Sequence, residues 1–174
     1  MGINEREQKA ILSILSSALF GNALELSDDL DWDALFQESI AQAVFPLVFH
    51  TTQELLPEEV KRKWEGDFLQ NLASNIRVNA AHASLHRLLT EHDIPYVILK
   101  GCASARYYPE PELRTMGDVD FLVEFSENPT SLLHICGFRE TLAELLRLDV
   151  DIVKLPRKPD DGLRIDRTVH MYGA

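Results

Sequence analysis

Gly117-Asp118-Val119-Asp120-Phe121-Leu122-Val123 decides the reading of this chain. The run Val119 to Glu124 is too short for a stable helix and rich in β-branched and aromatic residues, so it predicts a strand. Residues i and i+2 of a strand share a face. Asp118 and Asp120 therefore project together, while Val119, Phe121 and Val123 turn the other way into a core. Two carboxylates a few ångströms apart repel each other unless a cation lies between them. Hard divalent ions such as magnesium take oxygen ligands and bridge readily to phosphate oxygens. Read alone, the pair equally describes a solvated strand end beside a glycine turn.

Working outward, Ile94-Pro95-Tyr96-Val97-Ile98-Leu99 is a second short apolar run that predicts a buried strand, and it ends in Lys100-Gly101. Glycine there lets backbone approach a ligand closely, and amides at the start of a following helix attract an anion. The same residues also suit a plain strand-to-helix turn. Cys102 to Tyr108 reads as a short helix closed by Pro109 and Pro111, so residues 94–124 form a compact β-α-β unit. That unit would set a phosphate cradle beside a metal platform.

Upstream, the first ninety residues read as helix almost throughout. Ile3 to Phe20 places Ile11, Ile14, Leu15 and Ala18 on one face and meets Gly21, a residue suited to a left-handed stop. Capping candidates between Ser27 and Asp31 precede a second helix through Trp32, Leu35, Phe36, Ile40 and Ala43, which Pro46 breaks or kinks. Pro57 with Glu58 and Glu59 opens a long helix to about His92, with Trp64, Phe68, Leu72 and Ile76 as a stripe expected to pack on the strand unit. Downstream, the expectation is a brief helix from Pro129 ended by Gly137, another from Glu140 to Leu148, and a hairpin of Val150–Leu155 with Leu163–Met171 around Pro159 to Gly162. The fold class is α+β, a helical lobe over residues 1–92 followed by a small mixed-sheet core over residues 93–174.

Composition bounds the partners. The chain has 174 residues, 45% of them apolar and 26% charged, the proportions of an ordinary globular domain able to bury a core without disulfides or a structural metal. Two cysteines, Cys102 and Cys136, without CxxC spacing or a secretory leader, suggest a reducing, cytoplasmic setting. No apolar run approaches the roughly 18 residues a membrane helix needs, so no membrane partner is expected. Seventeen basic residues against 28 acidic give a net charge of -11, and residues 1–56 hold nine acids against Arg6 and Lys9. Such a surface repels a phosphate backbone, which argues against non-specific nucleic-acid binding while leaving room for a small phosphorylated ligand in a locally basic site.

Three spaced motifs carry a resemblance: Ile94 to Gly101 ending in Lys-Gly, Tyr107-Tyr108-Pro109-Glu110-Pro111-Glu112-Leu113-Arg114, and Gly117 to Val123. Together, and in this order, they resemble an uncharacterised nucleotidyltransferase family of the polymerase-β-like superfamily, over roughly residues 35 to 124. The resemblance implies a core in which a glycine turn holds the triphosphate of an NTP such as ATP. It also implies two acids on one strand that bind magnesium, one or two ions, and a third acid from a later strand. The implied reaction transfers a nucleoside monophosphate to an acceptor, a small molecule or a protein, with pyrophosphate leaving. Residue by residue, Gly101 matches the turn glycine, flanked by Lys100 and Cys102, and Asp118 and Asp120 match the metal pair.

For the third acid, Asp166 in Leu163-Arg164-Ile165-Asp166-Arg167-Thr168-Val169-His170 is preferred over Asp151, because its polar set shares one face of an alternating segment. The chain differs from the wider superfamily in having Cys102 after the turn glycine and a long gap from there to Asp118. From its own family it differs in lacking the C-terminal helices usually added, so a catalytically inactive binding or regulatory module is the alternative reading. Arg114 suits a phosphate contact or an ion pair with Glu112 equally. His82 and His86 stand at i and i+4 on the long helix, but with no third ligand legible, zinc is set aside.

Overall fold

The computed structural model describes residues 4–124 and 131–155, and these form two compact units. The first runs up to Ile76 and includes Ala105–Thr115; the second holds Arg77–Ser104 and the chain from Met116 onward. Among the described residues there are six α-helices and one three-stranded mixed sheet, so the fold is α+β. None of these helices is long and apolar enough to cross a membrane.

The first unit is built on α1 (Glu5–Phe20), α2 (Trp32–Ala41), α3 (Phe45–Thr52) and the first half of α4 (Glu58–Glu91). Its helix ends follow from local chemistry. Asn4 accepts from the amides of Arg6 and Glu7 to cap α1, which stops at Gly21 with φ +69°. Asp31 accepts from the Ala34 amide to cap α2. Pro46 was expected only to interrupt a helix, but it opens α3 from within its first turn, where the missing N–H has no helical acceptor to lose. Trp64 lies at the centre of this unit, 5.5 Å from the Phe36 ring, 5.8 Å from Phe45 and 6.1 Å edge-on to Trp32.

That position corrects the expectation for the long helix. Trp64 and Phe68 pack on the aromatic core of the first unit rather than on the strands, and Ile76 is 61% exposed. A strict four-residue spacing drifts by about 40° per step on a helix of 3.6 residues per turn, so such a stripe winds off any one partner within three steps. Ala81, Leu85 and Leu89 are the α4 residues that pack on the strands.

In the second unit, β1 (Tyr96–Leu99), β2 (Val119–Glu124) and β3 (Val150–Leu155) lie in that order across the sheet, with α5 (Gly101–Ala105) after β1 and α6 (Leu132–Leu146) before β3. β1 runs antiparallel to β2, pairing Leu99 with Asp120, so the pairing within residues 94–124 is not the parallel one that a β-α-β unit implies. The connection accounts for this: the chain leaves the second unit at Ser104, makes a 3-10 turn at Pro111–Leu113 in the first, and returns at Met116. β2 and β3 are parallel, joined through α6. Val119, Phe121 and Val123 join Leu142, Val150 and the α4 residues in one apolar cluster.

Gly137 does not end a helix. α6 runs through it, an interior glycine costing only about 1 kcal/mol relative to alanine, which a helix that buries Leu142 can bear. Val150–Leu155 is a strand as expected; its proposed hairpin partner Leu163–Met171 lies outside the described residues.

The two cores set a contrast for urea unfolding. Trp64→Ala should cost about 3–5 kcal/mol, whereas Ile76→Ala should change stability by no more than about 0.5 kcal/mol. Equal losses from both would restore the original stripe.

Candidate active site

Asp118 precedes β2 and Asp120 lies within it, so the pleat turns both carboxylates to one side. The parallel register then sets Asp151 of β3 directly opposite Asp120. One carboxylate oxygen from each of Asp118, Asp120 and Asp151 lies within 4.8 Å of the others. Asp120 is buried, and Asp118 and Asp151 are exposed. The third carboxylate to arrive is thus Asp151; Asp166 lies outside the described residues. Burial raises the Asp120 pKa above the ordinary aspartate value, the negative charge of Asp118 adds to the rise, and Lys100, whose Nζ is 3.5 Å from Asp120 Oδ2, partly offsets it. Three hard oxygen donors this close suit a divalent cation of the magnesium type, whose charge would relieve the repulsion.

Lys100 and Gly101 form the turn after β1, both with left-handed backbone at φ +48° and +41°. For Lys100 that conformation carries strain, and it holds the ammonium group over Asp120. A Cβ at Gly101 would meet the His82 Nε2 at 3.5 Å and the Asp118 carbonyl oxygen at 3.9 Å, contacts that are tolerable in distance but not in backbone angle. The Lys100 carbonyl accepts from the amides of Ala103 and Ser104. Cys102 is buried, its Sγ donating to Asn79 Oδ1 at 2.9 Å. Arg114 belongs to the first unit, where its Nη1 donates to the Thr115 carbonyl and its own carbonyl accepts from Asn75 Nδ2.

Arg139 escapes the sequence reading, and His82 enters it only as a zinc candidate set aside. Arg139 of α6 lines the cleft of about 620 Å³ into which Asp118 and Asp151 open, together with Glu140 and Asp149. No motif announces it, since helix phase alone brings it there. His82 is fully buried close to the Gly101 turn, and neither ring nitrogen has a hydrogen-bond partner among the described residues. Its i+4 neighbour His86 bonds instead to the Tyr96 hydroxyl, so the two histidines do not act as a pair.

The central strand of a mixed sheet and its parallel neighbour thus bring three aspartates together beside a strained lysine–glycine turn. The chain belongs to the family described as uncharacterised nucleotidyltransferase, whose model matches residues 28–156. No curated protein and no solved structure matches the chain.

Burial lowers the His82 pKa to about 4 from its usual 6.5, against the pull of Asp118. Above pH 6.5 the ring is neutral in both folded and unfolded chains and stability does not depend on it. As pH falls from 6.5 towards 4 the unfolded chain takes up a proton that the folded one refuses, so stability drops. Between pH 7 and pH 5 the loss should be about 2 kcal/mol, and His82→Leu should abolish that part of the pH dependence. Urea unfolding in the presence of EDTA measures it, and an unaltered slope in the variant would place the titration elsewhere.

Proposed function

We propose that the protein transfers a nucleoside monophosphate from a nucleoside triphosphate to an acceptor hydroxyl or similar nucleophile, with Asp118, Asp120 and Asp151 holding divalent metal. The observation that carries this reading is the convergence of the three carboxylates within 4.8 Å in a chain of this family. In the transfer, an acceptor oxygen forms a bond to the α-phosphorus while the bond to the bridging α–β oxygen breaks, and pyrophosphate departs with the electron pair. The acceptor's proton passes to an exposed carboxylate of the cluster; Asp151, which lines the open cleft, is suited to take it. A divalent cation, when bound, supplies neutralisation of the negative charge on the phosphoryl oxygens and the leaving group.

The protein's own groups bind and orient. Gly101 allows the phosphates to approach the turn without a side chain in the way, and the Lys100 ammonium, 71% exposed at its side chain, is free to swing from Asp120 to a phosphate oxygen. Arg139 offers a second cation at the cleft. Cys102 supports the turn from inside, as its bond to Asn79 suggests.

Thermal unfolding with each nucleoside triphosphate, with and without magnesium, tests the proposal, because a ligand that binds the native state raises the midpoint. A magnesium-dependent rise is expected. Asp118→Asn with Asp120→Asn should remove it while leaving the fold intact, since the change relieves a like-charge pair. Asp151→Asn should lower transfer by at least about a hundredfold, the scale of a lost general base. Binding without turnover towards any acceptor would make the chain a nucleotide-binding module; no magnesium-dependent binding at all would reject the reading.

A further inference from the structure

The second unit has a groove that the aspartate cluster does not use. It encloses about 610 Å³, with α4 along one side and the last turn of α6 along the other. Its floor is apolar, made by Leu88 of α4 together with Leu146 and its neighbours at the end of α6. Its polar rim is mostly cationic: Arg77 and Arg87 come from α4, and Arg147 from the left-handed residue that closes α6. None of these three guanidinium groups has an ion-pair or hydrogen-bond partner among the described residues, and Glu91 is the one acid at the rim.

Three arginines against one glutamate leave an excess of positive charge at this rim, in a chain whose net charge is -11. Such an excess draws an anion, and guanidinium groups hold phosphate or carboxylate oxygens through paired N–H donors. Three positive charges and one negative leave +2, the complement of a phosphate monoester, which carries about -1.5 to -2 at neutral pH. The apolar floor has no use for a bare inorganic ion, and the volume falls within the range of small-molecule sites. We propose that this groove is a second binding site, for a small phosphate monoester with an apolar body. The site stands independently of the nucleotidyl-transfer reading, because none of its residues belongs to the cluster or the turn.

1-Naphthyl phosphate is the probe, titrated against the full chain by calorimetry in EDTA and without nucleotide, so that the aspartate cluster plays no part. Saturable binding to one site is expected, at least tenfold tighter than inorganic phosphate or 1-naphthol. Arg77→Gln with Arg87→Gln and Arg147→Gln should weaken it at least thirtyfold, with the urea midpoint as the check on folding. If the triple variant does not fold, Arg87→Gln alone should still weaken binding at least threefold. Absence of saturable binding, an equal affinity for either half of the probe, or an affinity unchanged by the substitutions would overturn the proposal. So would retention on phosphatidate-containing vesicles without binding of the free probe, which would assign the groove to a membrane surface.

Discussion

Asp120 is a buried carboxylate with Asp118 beside it and Asp151 opposite on the parallel strand, and the cost of holding its charge there is the constraint on which the second unit depends. A buried carboxylate facing another is costly unless countercharge is near. The protein supplies part of it from Lys100, at the price of left-handed backbone at a residue that is not glycine. The rest of the sheet offsets the repulsion through packing: Val119, Phe121 and Val123 on β2 and Val150 on β3 lock into one apolar cluster with Ala81, Leu85 and Leu89 of α4. Apolar burial on this scale holds the strands together while the carboxylates strain against each other. The carboxylates are thus held close at a cost that the core carries.

Much of this was legible. The i, i+2 spacing of Asp118 and Asp120 on a short apolar run predicts their common face, and the strands at Val119–Glu124 and Val150–Leu155 match their sequence patterns. Gly21 and Asp31 announce helix ends because caps act within a few residues. What local pattern does not carry is partner choice. Trp64 and Leu85 sit on the same helix with similar apolar neighbours, yet one serves the aromatic core of the first unit and the other the sheet of the second. Nothing in helical periodicity records which surface lies opposite, and Arg139 reaches its cleft for the same reason.

The long interval between Gly101 and Asp118 looked like a departure from the superfamily pattern. Its physical meaning is an excursion: Ala105–Thr115 packs within the first unit, where Asn75 Nδ2 donates to the Glu112 and Arg114 carbonyls. A connection that leaves and returns in this way carries no obligation to cross the sheet as a compact helix would, so β2 can come back antiparallel to β1. The tyrosine–proline stretch Tyr107 to Arg114 is therefore as much a structural tie as a candidate for phosphate contact.

Register decides why Asp151 rather than Asp149 meets the pair. Both flank Val150 with a spacing of two, so they share a strand face, and a slip of two residues would put Asp149 in the place of Asp151 without turning a side chain over. The slip is resisted at the start of the pairing. The Val119 amide donates to the Asp149 carbonyl at 3.0 Å, and Val119 pairs with Val150, both buried in the cluster that includes Leu142. Moving β3 by two residues so that Asp149 came beside Asp120 would put the partly buried Leu148 in the place of Val150. Volume would change at a closely packed position, where even one methylene is felt. The identity of the third carboxylate thus follows from how a valine fits the core, a property of packing that no motif names.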